Sequence, residues 1–292
     1  ISNTLALIKG VNPGDVERDP NAVSFMNGVL NLKTNQLSYH TERVFITSNL
    51  GFGYDPGANP SIEWFKYLDH LCSGDELKKH FIRCWLKLLI HNNIETQTFL
   101  YMVGRGGTGK SIFGKLSMAL VGQTNTLATS LKDLNNERFE AANIQNKSLI
   151  IMNDTDEYSG SIGSLKQLTG GDLMKARVKF VQGSFDLGNS ANVLIIGNFR
   201  IQTPDTSGAL VRRMRVFEAN NVVENDKRVD LLNLKRKGNQ NDWTGKLVPS
   251  LPGIFNWANQ LDLNKSKAFV LHNLIAVDTN NPLYLWVEEC IE

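Results

Sequence analysis

The sequence predicts an α/β fold built around a five-stranded parallel sheet, and three observations carry that expectation. Five short apolar runs, at 99–103, 126–130, 149–152, 192–197 and 214–218, alternate with polar or helix-like stretches, as strands buried on both faces of a parallel sheet do. The first run leads directly into Gly104-Arg105-Gly106-Gly107-Thr108-Gly109-Lys110-Ser111, a full G-x-x-x-x-G-K-S match in strand–loop–helix order. Between the third and fourth runs, Lys175, Arg177 and Lys179 alternate with apolar residues at period two, which reads as a basic hairpin inserted into the core.

Ahead of the sheet, residues 1–60 are divided by Asn12-Pro13-Gly14, Asn27-Gly28, Asn35-Gln36 and Asp55-Pro56-Gly57 into short runs such as Val29-Leu30 and Val44-Phe45-Ile46, the pattern of small strands. From 61 to 91 the apolar period becomes helical. Trp64, Leu68 and Leu71, then Phe81, Ile82, Trp85, Leu86 and Leu89, predict two amphipathic helices whose aromatic stripe belongs to the core. After Asn221 the chain turns charged, with Lys227, Arg228, Lys235, Arg236 and Lys237 around Val229-Leu231-Leu232-Leu234, read as an amphipathic helix. A Pro/Gly break from 249 to 253 introduces Ile254-Phe255-Asn256-Trp257 and a last helical region. The expected division is therefore 1–96, a strand-rich and helical collar-like region; 97–220, the sheet core; and 221–292, a mainly helical region.

Composition narrows the function by exclusion. A net charge of +2 over 292 residues leaves any electrostatic footprint to local clusters. The three cysteines, Cys72, Cys84 and Cys290, are odd in number and lack C-x-x-C spacing, so neither a disulfide framework nor a zinc site is expected. No apolar stretch reaches the roughly 18 residues of a membrane span, and no secretory leader is visible, so a soluble cytoplasmic protein is expected. A first residue of Ile rather than Met suggests a fragment of a longer polypeptide.

The G-x-x-x-x-G-K-S loop is a phosphate cradle: backbone N–H groups close on a β-phosphate, Lys110 reaches the β/γ oxygens, and the Ser111 hydroxyl binds a nucleotide's Mg²⁺. Such a loop needs an acid at the end of a neighbouring strand. The run Asn153-Asp154-Thr155-Asp156-Glu157 supplies Asp154 nearest the strand end, with Asp156 and Glu157 able to share or replace it; Asn153 stands where a first carboxylate is expected. The fourth strand ends in Asn198, an amide that can bridge a terminal phosphate and an attacking water without adding charge. Arg212 and Arg213, just before the fifth strand, are candidates for a guanidinium offered to a neighbouring subunit's nucleotide. Gln182-Gly183 forms the hairpin turn and the chain returns through Ser184-Phe185-Asp186-Leu187, an arrangement suited to phosphate-backbone contact.

The ordered set of phosphate loop, acidic strand, Lys166-Gln167-Leu168-Thr169-Gly170-Gly171-Asp172 stretch, strand-ending Asn198 and Arg212-Arg213 pair resembles the superfamily 3 helicases, and most of all the primase-helicases of phages, plasmids and large DNA viruses of the poxvirus type. The run Asn27-Gly28-Val29-Leu30-Asn31-Leu32 resembles the segment preceding their ATPase, and Leu251-Pro252-Gly253-Ile254-Phe255-Asn256-Trp257 the element following it. Thr108, where that family commonly has Asn, and the untidy acidic strand are departures. The resemblance implies an AAA+ type core in a homo-oligomeric, hexameric ring, using ATP and Mg²⁺ to translocate 3′ to 5′ on single-stranded or forked DNA, with a primase or primase-polymerase domain covalently ahead of this segment.

In that scheme the loop residues from Gly104 to Ser111 bind nucleotide, Ser111 and Asp154 hold the metal, Asn198 senses the γ-phosphate, and Arg212 or Arg213 is the finger. Lys175, Arg177, Lys179, Gln182 and Ser184 take the place of the DNA-tracking hairpin. Two other readings share the loop. An ATP-switched assembly or loading module would bind DNA without unwinding it. A small-molecule kinase would need a substrate lid and gives the basic hairpin no role.

Overall fold

The computed structural model describes residues 21–40, 49–136, 140–154, 160–176, 185–187, 191–199, 201, 208, 212–237 and 240–263. Its centre is the anticipated parallel sheet. Strands β4 (Phe99–Val103), β5 (Thr126–Thr129), β6 (Leu149–Asp154), β9 (Asn192–Gly197) and β10 (Met214–Glu218) lie in the order β10-β4-β9-β6-β5, every neighbouring pair parallel. Thus β4, first of the five in the chain, lies between the last two.

Alternation along these strands makes two cores from one sheet. On one face Leu100, Met102, Leu149, Ile151, Leu194 and Ile196 join the apolar sides of the helices α1 (Ile62–Cys72), α2 (Glu76–Ile90), α3 (Lys110–Val121) and α7 (Leu251–Asn259). On the other face Phe99, Tyr101, Ile150, Met152, Val193 and Ile195 pack against Leu131 and Leu134 of α4 (Leu131–Asn136) and Leu165 and Leu168 of α6 (Gly163–Gly170). A further short helix, α5 (Glu140–Asn143), leads back towards β6. Burial on both sides explains why these strands read as continuous apolar runs, each large side chain contributing about 1.5–3 kcal/mol.

The preceding segment also follows its pattern. Strands β1 (Ala22–Phe25), β2 (Gly28–Asn31) and β3 (Gln36–Ser38) form an antiparallel meander. The Val44-Phe45-Ile46 run lies outside the described residues. Helix α1 starts at Ser61, whose hydroxyl accepts from the Trp64 amide, and stops at Ser73 in the left-handed conformation (φ 56°). Helix α2 starts at Asp75, whose carboxylate accepts from Leu77 and Lys78. Trp64 and Trp85 are fully enclosed, as the helical period requires.

The region after β10 differs from expectation. The amphipathic helix predicted around 229–234 is absent; the chain instead runs extended into an antiparallel hairpin of β11 (Asn233–Lys237) and β12 (Gln240–Thr244). The spacing of Val229, Leu231, Leu232 and Leu234 fits either period, and Trp243, directly opposite Leu234 in the register, decides for the hairpin. Among the described residues beyond 220, α7 is the one α-helix; residues 264–292 of the region expected to be mainly helical lie outside the described residues.

The inserted hairpin is present at its base. Strand β7 (Met174–Ala176) pairs antiparallel with β8 (Phe185–Leu187), setting the exposed Lys175 opposite Asp186. Its outer part, with Arg177, Lys179, Gln182 and Ser184, lies outside the described residues.

Candidate nucleotide-binding site

Parallel strands direct their carboxyl ends to one edge, and loops there build the binding crevices of open α/β sheets. In this sheet Glu218, Val103, Gly197 and Asp154 form a single row across β10, β4, β9 and β6. Beyond that row opens a cleft of about 890 Å³ whose floor is Gly106 to Ser111. The motif that the sequence singled out and the cleft that the fold creates coincide.

The loop's geometry follows from its residues. Gly109 caps α3 with φ 95° and Gly107 sits at φ 83°, left-handed conformations that glycine adopts without strain. They leave the first amides of α3 facing the cleft, the arrangement that favours a phosphate group. Lys110 is buried. Its Nζ donates to the Gly104 carbonyl (2.5 Å), the Arg105 carbonyl (2.8 Å) and the Thr108 hydroxyl (3.3 Å), and burial holds its pKa below the ordinary lysine value. Thr108, the departure from the family's usual residue, thus stays inside the loop: its hydroxyl donates to the Arg105 carbonyl (3.1 Å).

Two polar side chains from neighbouring strands reach this cleft, beside the apolar Ala128, Ile151 and Ile196. Asn198 follows β9 and is exposed; Asn153, one row inside the end of β6, alternates with Ile151 on the same side of the sheet as α3. On β6 the cleft is thus lined by the Asn153 amide, while the side chain of Asp154, the assigned acid, lies outside what the structure describes. Asp154 ends the strand opposite Gly197, while Asp156 and Glu157 lie outside the described residues.

Asn198 has support that the sequence did not reveal, since the Tyr101 hydroxyl on β4 donates to the carbonyl of Phe199 and fixes the turn that follows.

Tyr67 was also missed, having been passed over within a core stripe. It is 4% exposed, yet its hydroxyl donates to the Gly109 carbonyl (3.1 Å) and its ring packs against that glycine. Burial raises its pKa well above the ordinary tyrosine value, so it remains a donor across the working pH range. Helix α1 is thereby tied to the phosphate loop.

Arg212 and Arg213 are elsewhere. They precede β10, whose first residue pairs with Phe99, so the whole of β4 lies between them and the loop, about 16 Å at 3.3 Å per residue. Neither lines the cleft. Arg212 is exposed, and its carbonyl accepts from the buried Arg215 Nη1 (3.0 Å), a side chain whose pKa is lowered by burial. Arg213 is half-buried with its guanidinium against Gly170 at the end of α6, where the helix dipole favours a cation.

Comparison with known proteins finds matches to parts of the chain. Residues 1–73 match the family described as D5 N terminal like, and residues 102–213 match a family of unknown function, DUF5906. Two proteins of Marchantia polymorpha are similar over shorter stretches. The uncharacterized mitochondrial protein ymf20 is 36% identical over 110 residues, which cover 38% of this chain and 62% of that protein. The uncharacterized mitochondrial protein ymf21 is 41% identical over 70 residues, covering 24% and 39%. The chain thus spans less than two thirds of either relative.

Among solved structures, the A-form apo structure of the NrS-1 C-terminal region superposes with a TM-score of 0.56 at 17% identity, covering 99% of this chain and 65% of that one. A second apo structure of that region gives 0.50 at 18%, covering 80% and 57%. These likenesses establish the fold.

Proposed function

We propose that this chain is the ATP-hydrolysing motor segment of a replicative DNA helicase of the primase-helicase kind, with an AAA+ type core acting in a ring. The observation that carries the reading is the separation just described. One edge of the sheet holds a phosphate loop with Asn198 beside it, while the arginine pair stands at the opposite edge, too far to serve its own loop, which supports a role toward a neighbour's. The strand order, with the loop-bearing strand between the last two, the D5 N terminal like match and the likeness to the NrS-1 C-terminal region support it.

The residues fit a nucleotide with its cation. Among the described residues no group of three or more His, Cys, Asp or Glu side chains could hold a metal. Mg²⁺ dehydrates reluctantly and binds through one or two protein groups plus substrate phosphates. Ser111, with Asn153 nearby, would hold it, and the ion would supply charge neutralisation at the β/γ oxygens. Lys110 exchanges the loop carbonyls for phosphate oxygens, Asn198 orients the attacking water, and a neighbour's Arg212 meets the charge that spreads over the transferred group. Arg212 is preferred to Arg213 because it is the exposed member of the pair. The hairpin that begins at Lys175 grips the phosphate backbone of single-stranded DNA.

Native mass measurement with ATP and single-stranded DNA, run beside phosphate-release and strand-displacement assays, tests the reading. We expect a ring mass, DNA-stimulated turnover, and loss of that turnover in Lys110→Ala. Monomers under all conditions, or undiminished turnover in Lys110→Ala, would overturn it. Turnover without strand displacement would reduce the motor to a loading module.

A further inference from the structure

The segment at 219–231 lies over the phosphate loop like a strap, and both of its ends are pinned. At its start the Ala219 amide donates to the Val103 carbonyl (2.9 Å), the Asn221 side-chain amide to the His70 carbonyl of α1 (3.0 Å), and the Val223 amide to the carbonyl of Gly107 in the loop itself (3.0 Å). At its far end the carbonyls of Asp230 and Leu231 accept from the amides of Lys246 (3.0 Å) and Leu247 (2.8 Å), just past β12. The hairpin is in turn tied to the loop's own helix, because Lys115 of α3 donates to the Asn233 side chain (2.5 Å).

Between these anchors a single 3₁₀ turn, Asn225–Lys227, delivers Arg228 into the cleft. Its Nη2 stands 2.8 Å from where a Cβ on Gly107 would project, so loop and guanidinium are in contact. The neighbouring Lys227 is engaged by Glu224 (2.6 Å), whereas among the described residues no carboxylate pairs with Arg228.

We propose that Arg228 is a phosphate ligand acting in cis, a fixed guanidinium that binds the polyphosphate of a nucleotide seated in its own chain's cleft. This rests on the nucleotide reading above and adds a residue to it. An arginine beside a phosphate-binding loop gives a charge-assisted, directional pair with phosphate oxygens. A strap pinned at both ends holds the group near its binding position before the nucleotide arrives, which lowers the ordering cost of binding. The strap's anchors on Val103, His70, Gly107, Lys246 and Leu247 also connect Arg228 to α1 and to the segment that follows the C-terminal hairpin.

The test is equilibrium titration of the intact chain with a fluorescent, non-hydrolysable ATP analogue. The proteins are wild type, Arg228→Ala, Arg228→Lys and, as a surface-charge control outside the cleft, Lys132→Ala on α4, with thermal melts of each. A charged hydrogen bond is worth enough that Arg228→Ala is expected to weaken binding by about 10- to 100-fold. Arg228→Lys should fall between, and Lys132→Ala should stay within about twofold. Arg228→Ala binding within twofold of wild type, or more tightly because an obstructing side chain has gone, would overturn the proposal while leaving the nucleotide site intact. No binding by the wild-type chain would overturn the site itself and this inference with it.

Discussion

The two edges of the parallel sheet are made by the same strands and differ in what they can do alone. At the carboxyl edge, four strand ends, a glycine loop and the strap converge on one cleft, and Tyr67, Lys110, Asn153, Asn198 and Arg228 reach it from five different elements. At the amino edge, Arg212 stands exposed and Arg213 rests on the end of α6, and neither lines that cleft. A phosphoryl-transfer site needs both a cradle and a charge that meets the transition state. On the proposed reading the two are split across the length of a strand, so that one copy would be an incomplete catalyst and a ring would complete it.

The sharpest way to break that comparison is to separate the edges genetically. Arg212→Ala is expected to lower turnover of the assembled protein by about 10³-fold, the scale of a trans-acting arginine, and Arg213→Ala by less than about tenfold. Equal mixtures of Arg212→Ala and Lys110→Ala should regain a measurable fraction of wild-type turnover. In such mixtures a Lys110→Ala copy still offers Arg212 to an intact loop next to it. Phosphate release that is lost in Arg212→Ala and not recovered on mixing would place both edges in one chain's chemistry and end the argument for a shared site.

A smaller effect is expected on the carboxyl edge. Asn153 faces the cleft from the position where a carboxylate would hold the cation directly, so Asn153→Asp should lower the Mg²⁺ concentration giving half-maximal turnover by roughly threefold to tenfold, since hard cations prefer carboxylate oxygen. The measurement is turnover against Mg²⁺ at saturating ATP. An unchanged midpoint would remove Asn153 from the neighbourhood of the ion and leave that place to the residues at the strand end.

How much of this was legible beforehand divides along the same physical line. The five strands were readable because burial on both faces leaves each an unbroken apolar run, and α1 and α2 because Trp64, Leu68, Leu71 and Trp85 keep a helical period. The phosphate loop was readable because its chemistry is local, all within eight residues. Hidden from the sequence were relations between distant residues. Arg228 lies more than a hundred residues from the loop it touches, and nothing nearby distinguishes it from the other basic residues of its segment. Tyr67 looked like core because it is core, and its hydroxyl finds Gly109 only once α1 has docked. The β11–β12 hairpin was misread as a helix because the pairing of Leu234 with Trp243 depends on a partner strand rather than on local spacing.

A histidine near the amino edge has a pH response that sharpens the comparison further. His91, just past α2, places Nε2 at 2.7 Å from the side-chain oxygen of Asn259 at the end of α7, where Lys87 also donates. Burial lowers the His91 pKa below its ordinary value; the Asn259 hydrogen bond opposes this in part, and the positive charge of Lys87 adds a lesser lowering. Because the folded value is depressed, the unfolded chain binds more protons as pH falls below about 6.5. The stabilising contribution is therefore present above that pH and lost below it. Melting temperatures measured at pH 7.5 and 5.5 should show a drop in the wild type that exceeds the drop in His91→Gln by about 2 °C, the glutamine amide keeping a donor for Asn259 without titrating. Equal drops in the two proteins would mean that the junction between α2 and α7 takes no part in the acid response, and that the amino edge is held as indifferently to pH as the cleft's glycine loop.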